Sequence, residues 1–169
     1  MDGEKRRRLI IKRITESENP VSGSALAREM AVSRQVIVQD IALLRAANKN
    51  VLSTNKGYVW HDDTVKMHNK VVAVCHSNDE IRDELYTIVD TGARIRDVIV
   101  EHDVYGQISV DLLISSRRDV DEFVSKIASS KAKPLKILAD NIHYHTIEAA
   151  EQGILEMAEA ELKKKGFLI

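Results

Sequence analysis

The 169-residue sequence predicts a mixed α/β protein in two parts. Residues 1–62 read as a winged helix-turn-helix, and residues 69–169 as an α+β domain with ferredoxin-like β-α-β-β-α-β order and a closing helix. Three observations carry this. Charge is divided along the chain: residues 1–60 hold 11 Lys+Arg against 6 Asp+Glu, a balance of +5, and the remainder holds 14 against 20, a balance of −6. The basic part shows helical apolar spacing that ends in two short strand-like runs, whereas the acidic part switches repeatedly between strand and helix patterns. All six histidines (His61, His68, His76, His102, His143, His145) fall in the acidic part, so any imidazole chemistry belongs there.

In EKRRRLIIKRITES, Ile10, Ile11 and Ile14 recur at helical spacing with basic residues between them, as an amphipathic helix needs. Asn19-Pro20 stops it. Ser22 is a good N-cap for SGSALAREM, a short helix with Leu26 and Met30 on one face. Ser33 can cap a third, SRQVIVQDIALLRAA, whose inward stripe is Ile37, Ile41 and Leu44. Two helices joined by so short a turn form a helix-turn-helix. NVLSTNKGYVW then reads as two strands around an Asn55-Lys56-Gly57 turn. Helices followed by such a hairpin make a winged helix, with Lys56 placed to contact phosphate.

Helical periodicity alone would fit any three-helix bundle. The outward face of the third helix argues for DNA. With Ile37 and Ile41 inward, Arg34, Gln35, Val38 and Gln39 are exposed on the first two turns beside Ser33, the part of a recognition helix that meets base edges. Arginine can fork onto guanine, glutamine onto adenine, and valine can touch a thymine methyl. An arginine-only face would instead indicate phosphate contacts, which position a protein without reading sequence. A basic unit of this kind suits double-stranded DNA.

Asp62 and Asp63 reverse the charge, and HDDTVKMHN has no clear periodicity, so the linker is expected there. KVVAVCH alternates as a strand with Val72, Val74 and His76 on one face and Cys75 on the other. SNDEIRDELYTIVDTG is a helix with Ile81, Leu85 and Ile88 inward, ended by Gly92. ARIRDVIVEH and GQISVDLLIS form a hairpin about DVYG. RRDVDEFVSKIASS is a helix with Val120, Phe123, Val124 and Ile127 as its stripe. NIHYHTIEA is a fourth strand, and EQGILEMAEAELKKKG a closing helix with its lysines where they suit the dipole.

This order makes a geometric prediction. The first and fourth strands are antiparallel neighbours, so His76 lies beside His143 and His145. Glu84, on the edge of its helix's buried stripe, adds a carboxylate that needs a partner. A lone His-x-His on a strand is more often a polar surface or a hydrogen-bonded pair. Joined to His76 and Glu84, it becomes a plausible site for a divalent transition metal such as nickel, zinc, iron or cobalt. The same topology is taken to put the hairpin end of strand two, with His102, away from the end of strand one. His102 is therefore not counted as a ligand; with Tyr105 it is assigned to an effector pocket, or to an approach across a dimer. His61 and His68 are expected to be solvated.

The single Cys75 excludes an intramolecular disulfide framework and fits a reducing cytoplasm. Position 1 is followed by DGEKRRR, not by an apolar run of signal length, and no stretch reaches membrane-spanning length. The expectation is a cytoplasmic protein without a membrane partner.

SGSALAREMAVSRQVIVQDIALLR resembles the amino-terminal winged helix of the niacin-responsive transcriptional repressors. His76, Glu84, His102-Asp103-x-Tyr105-Gly106 and His143-x-His145-Thr146 resemble their carboxy-terminal 3H domain. The resemblance covers nearly the whole chain. It implies a homodimeric repressor of genes for NAD synthesis and niacin salvage, with nicotinic acid as co-repressor and a transition metal, nickel or zinc foremost, on His76, Glu84, His143 and His145. Two rivals come from other classes. A metal-dependent enzyme would need a separate general base, and the sequence offers none near the cluster, so the chain is read as no enzyme. A metal sensor, in which the ion is itself the signal, differs from the effector reading in its response to chelation.

Overall fold

Serine hydroxyls start two of the first three helices: Ser22 Oγ accepts from Ala25 N–H, and Ser33 Oγ from Val36 N–H, each satisfying an amide left open at a helix start. The computed structural model describes all residues except 1, 48 and 63, so Asp63 of the expected linker lies outside the described residues. The chain divides into two units, one ending at Val65 and one beginning at Lys66.

The first unit holds α1 (Gly3–Thr15), α2 (Gly23–Glu29) and α3 (Arg34–Ala46), then β1 (Val51–Thr54) and β2 (Gly57–Trp60). Ile10, Ile14, Leu26, Ile37, Ile41 and Leu44 meet in its core with Val21, Val51 and Tyr58. Asp40, on the inner face of α3 and 2% exposed, draws α1 in by accepting from Arg6 Nε at 2.5 Å and Arg7 Nη1 at 3.3 Å. The β1–β2 hairpin pairs Thr54 with Gly57, so its loop is Asn55-Lys56. Thr54 Oγ1 accepts from Lys56 N–H and donates to the Gly57 carbonyl. Val21 and Tyr58 exchange backbone hydrogen bonds of 2.9 and 2.8 Å, fastening the wing to the segment before α2.

The second unit contains β3 (His68–Cys75), a 3₁₀ turn (Asn78–Glu80), α4 (Ile81–Val89), β4 (Arg94–His102), β5 (Gly106–Ile114), α5 (Arg117–Ser129), a second 3₁₀ turn (Leu135–Ala139), β6 (Ile142–Ala149) and α6 (Gln152–Lys164). The β-α-β-β-α-β order with a closing helix is the one the sequence predicts. Across the sheet the order is β3-β6-β4-β5, every neighbouring pair antiparallel. A ferredoxin-like sheet would leave the last strand on the edge. Here β6 lies between β3 and β4, still beside the first strand as expected, but interior. Val72, Val74, Ile95, Leu112, Ile114 and Ile147 from the sheet pack with Leu85, Ile88, Val120, Leu155 and Leu162 from the helices. Beyond α6, Phe167 to Ile169 run along the outer edge of β3, where Cys75 N–H donates to the Phe167 carbonyl and Ile169 N–H to that of Ala73.

One expectation from topology is corrected by this register. Cys75 pairs with Ile142 and Ile99 with Tyr144, so β3 and β4 run in the same direction on either side of β6 and finish at the same end of the sheet. His102 is thus not at the far end from His76. The intervening strand separates them, and the β4–β5 turn engages His102, whose Nδ1 accepts from Val104 and Tyr105 N–H at 3.1 and 3.2 Å.

Candidate functional site

Three elements bring four polar side chains into the interior of the second unit. His76 follows β3, Glu84 lies in the first turn of α4, and His143 and His145 alternate inward along β6 opposite Val74 and Val72. All four are at most 6% exposed. The ring centroids of His76 and His143 are 4.9 Å apart, and those of His143 and His145 5.0 Å, both pairs nearly perpendicular. Phe167 packs edge-on against His76 at 5.6 Å.

Each imidazole is oriented by its backbone. Nδ1 of His76 lies 2.7 Å from the Ser77 carbonyl, Nδ1 of His143 3.0 Å from that of Asn141, and Nδ1 of His145 2.6 Å from that of Asp97. A carbonyl only accepts, so all three Nδ1 atoms carry the proton. When neutral, each ring therefore keeps its lone pair on Nε2. Those lone pairs face a carboxylate: His76 Nε2 is 3.4 Å from Glu84 Oε2, and His145 Nε2 is 3.2 Å from Glu84 Oε1. His76 Nε2 and Glu84 Oε1 are buried without a hydrogen-bond partner among the described residues. Acceptors facing acceptors in a dry interior need a proton or a cation between them.

The titration behaviour follows the same logic. Burial pushes the Glu84 carboxyl up, but the surrounding imidazoles, His145 foremost, overcome this and hold it well below the usual carboxylate range. The amino-terminal end of α4 also favours a negative charge there. Burial lowers His145, the Glu84 carboxylate raises it, and the net shift is upward. Desolvation and the neighbouring His145 push His143 down to about 4.

The donor set fits a metal. Ligand atoms from His76, Glu84 and His143 all lie within 4.8 Å of one another, and His145 joins through Glu84 Oε1. Imidazole nitrogens with one carboxylate suit zinc, nickel, cobalt or ferrous iron. Carbonyls that fix each Nδ1–H are the outer partners usual for metal-binding histidines.

The cluster forms one wall of a cavity of about 320 Å³. Its lining also includes the apolar Val98, Val110, Leu112, Phe123 and Ile127, with Lys126 and Lys133. Lys136 lines it too, a residue that carries no signal in the sequence pattern. KAKPLKILAD shows no periodicity, and only Pro134 marks the start of the 3₁₀ turn that buries this lysine. His102 and Tyr105, assigned from sequence to an effector pocket, do not line the cavity; Tyr105 is 78% exposed.

In the first unit, Ser33, Arg34, Gln35, Val38 and Gln39 are all exposed on the start of α3, as the sequence places them, and Lys56 sits in the two-residue wing loop. No helix among the described residues is long and apolar enough to cross a membrane.

Comparison with known proteins agrees with this division. Residues 69–169 match the 3H domain family and residues 6–59 an HTH domain. The chain is similar to a probable transcription repressor NiaR of Thermotoga maritima, 45% identical over 166 residues that cover 98% of this chain and 94% of the relative. It is also similar to the transcription repressor NadR of Bacillus subtilis, 37% identical over 170 residues, 99% of this chain and 94% of the relative. Both relatives are regulators, not enzymes, by name. With the 3H match alone spanning more than half its length, this chain belongs to the family of transcription repressors that join an HTH domain to a 3H domain.

Proposed function

We propose that this repressor controls genes of NAD biosynthesis and niacin salvage in the cytoplasm, binding operator DNA as a homodimer with nicotinic acid as co-repressor. The observation that carries the reading is a cavity whose wall contains a buried cluster of three oriented imidazoles and one carboxylate. That is an arrangement for seating a small polar molecule beside a cation.

His76, Glu84, His143 and His145 would hold a divalent transition metal, nickel or zinc foremost. When bound, the metal supplies a Lewis-acidic contact for a ligand heteroatom. The chain's own part is to hold each Nδ1–H on a backbone carbonyl so that Nε2 is the atom aimed at the cation, and to surround the ligand with an apolar wall. On α3, Arg34, Gln35, Val38 and Gln39 read base edges, Ser33 fixes the helix start, and Lys56 meets phosphate. In the dimer the two α3 helices would be held about 34–36 Å apart, the spacing of successive major grooves. A co-repressor acts only through its differential affinity for the two dimer geometries, and couplings of about 1–3 kcal/mol change DNA affinity roughly 5–150-fold.

The test is an operator titration of metal-loaded protein with and without nicotinate. Tighter binding with nicotinate, lost after chelation and restored by nickel or zinc, is the expected result. DNA affinity indifferent to nicotinate in protein of known metal content would overturn the reading. A response to the metal alone would identify a metal sensor instead.

A further inference from the structure

We propose that Lys136 is the anchor for a carboxylate on the molecule that enters this cavity, and that it makes the site choose aromatic carboxylates over the matching carboxamides. The inference rests on the reading above that the cavity takes a small organic effector, and adds to it which group is recognised and by which residue.

Lys136 is 3% exposed, although lysine is almost never fully buried unless it is paired. Its Nζ donates to the His76 carbonyl and to Asn141 Oδ1, each at 2.8 Å. Both acceptors are neutral, and an ammonium has three donors. Among the described residues its third N–H therefore has no acceptor, and no carboxylate lies within ion-pair distance. Glu84 is turned toward His76 and His145. A buried cation normally keeps a counter-charge, because leaving water without one is expensive.

The backbone holds this lysine in place. Asp140 and Asn141 adopt successive left-handed conformations, φ +50° and +68°, a tight reversal in which Asn141 N–H donates to the Lys136 carbonyl at 3.0 Å. Asn141 thus clamps Lys136 at both ends, and its own carbonyl accepts from His143 Nδ1. The ammonium is fixed between the His76 carbonyl and the Asn141 side chain, on a residue that lines the cavity.

With Glu84 directed at the imidazoles, Lys136 has a donor left for an anionic group brought in by the ligand. The apolar wall of Val98, Leu112, Phe123 and Ile127 suits the face of a flat ring. A planar aromatic acid satisfies both walls, its carboxylate on Lys136 and its ring on the apolar side. The matching amide brings a neutral oxygen and leaves the ammonium uncompensated. A site built for a charged partner discriminates strongly against an analogue lacking it, since the buried group is then unpaired.

The experiment uses the full chain loaded with nickel, its metal content measured. Nicotinate and nicotinamide are titrated by calorimetry into the unaltered protein, Lys136→Met and Lys136→Gln. The expected result is a preference of the unaltered protein for the acid, and a loss of at least about tenfold in nicotinate affinity in both variants with nicotinamide affinity unchanged. Lys136→Gln keeps a donor for the His76 carbonyl, so a lysine that only ties the backbone would be rescued by it. Full rescue, or acid affinity unchanged in both variants, overturns the proposal while the nicotinate response of the unaltered protein leaves the effector reading standing. Should neither variant retain metal, equal affinity of the unaltered protein for acid and amide overturns it, and acid preference supports it. Binding of neither compound to the metal-loaded protein sinks the effector reading itself, and this inference with it.

Discussion

Glu84 Oε1 and His145 Nε2 stand 3.2 Å apart in a region neither shares with solvent, with the Nδ1–H of His145 already committed to the Asp97 carbonyl. The carboxylate faces the cluster with both oxygens, its other one toward His76. Replacing it by the isosteric amide removes that charge and turns an N–H₂ toward one imidazole. Glu84→Gln is therefore expected to lower metal affinity by at least about 100-fold, beyond the 10–100-fold usual for outer partners. Cobalt titration followed by visible absorption checks this. An unchanged cobalt spectrum and affinity would remove Glu84 from the coordination sphere.

Metal uptake should release protons, with a sign fixed by the shifts at this site. Burial lowers His145 but the Glu84 carboxylate raises it above the usual imidazole range, so the metal-free cluster favours a proton on it. His143, down at about 4, is already neutral at physiological pH and contributes none. A cation needs the His145 lone pair, so loading should expel a proton from this residue, and apparent affinity should climb with pH until His145 is neutral without metal. Calorimetry in buffers of different ionisation enthalpy measures the proton count. Heats independent of buffer would contradict the assigned direction.

The legibility of this molecule from sequence was uneven, for physical reasons. The period of the apolar stripes revealed the helices, because Ile37, Ile41 and Leu44 or Ile81, Leu85 and Ile88 must each face one core. Alternation in β3 and β6 likewise predicted that His76, His143 and His145 point inward. What the sequence could not convey was lateral order. Nothing in the local pattern of NIHYHTIEA states that it inserts between β3 and β4 instead of lying outside β3 on the edge. The position of His102 was misjudged for another reason: β3 and β4 are joined through the single helix α4, which makes them parallel and brings both strand ends to one end of the sheet in either order. Lys136 was invisible for a different reason. Its burial is imposed by a 3₁₀ turn and two left-handed residues, neither of which leaves a periodic trace.

Gly57 is a position where the wing depends on the absence of a side chain. Its φ is +142°, and a Cβ there would lie 2.6 Å from the Val21 carbonyl oxygen, a backbone atom that itself accepts from Tyr58 N–H. Relief would require parting the wing from the segment before α2. Gly57→Ala should therefore destabilise the first unit by about 1–3 kcal/mol, the usual scale of local backbone strain. Thermal unfolding followed by circular dichroism measures it. A midpoint equal to that of the unaltered protein would show that the hairpin relaxes freely.

On α3, two kinds of DNA contact should separate in a mutational series. Arg34 and Gln35 are exposed on the first turn, where side chains can meet base edges, and the N-cap hydroxyl of Ser33 fixes the direction of that turn. Arg34→Ala and Gln35→Ala should each cost about 1–3 kcal/mol on operator DNA and relax base preference at one position. Lys56 lies in the wing loop, where a backbone phosphate is the natural partner. Lys56→Ala should weaken all sequences alike and reduce the slope of log affinity against log salt by about one. Binding to operator and to random duplexes across a salt series distinguishes the two. If Arg34→Ala weakened both duplexes equally, the start of α3 would be a phosphate contact, and base reading would have to be sought at Val38 and Gln39.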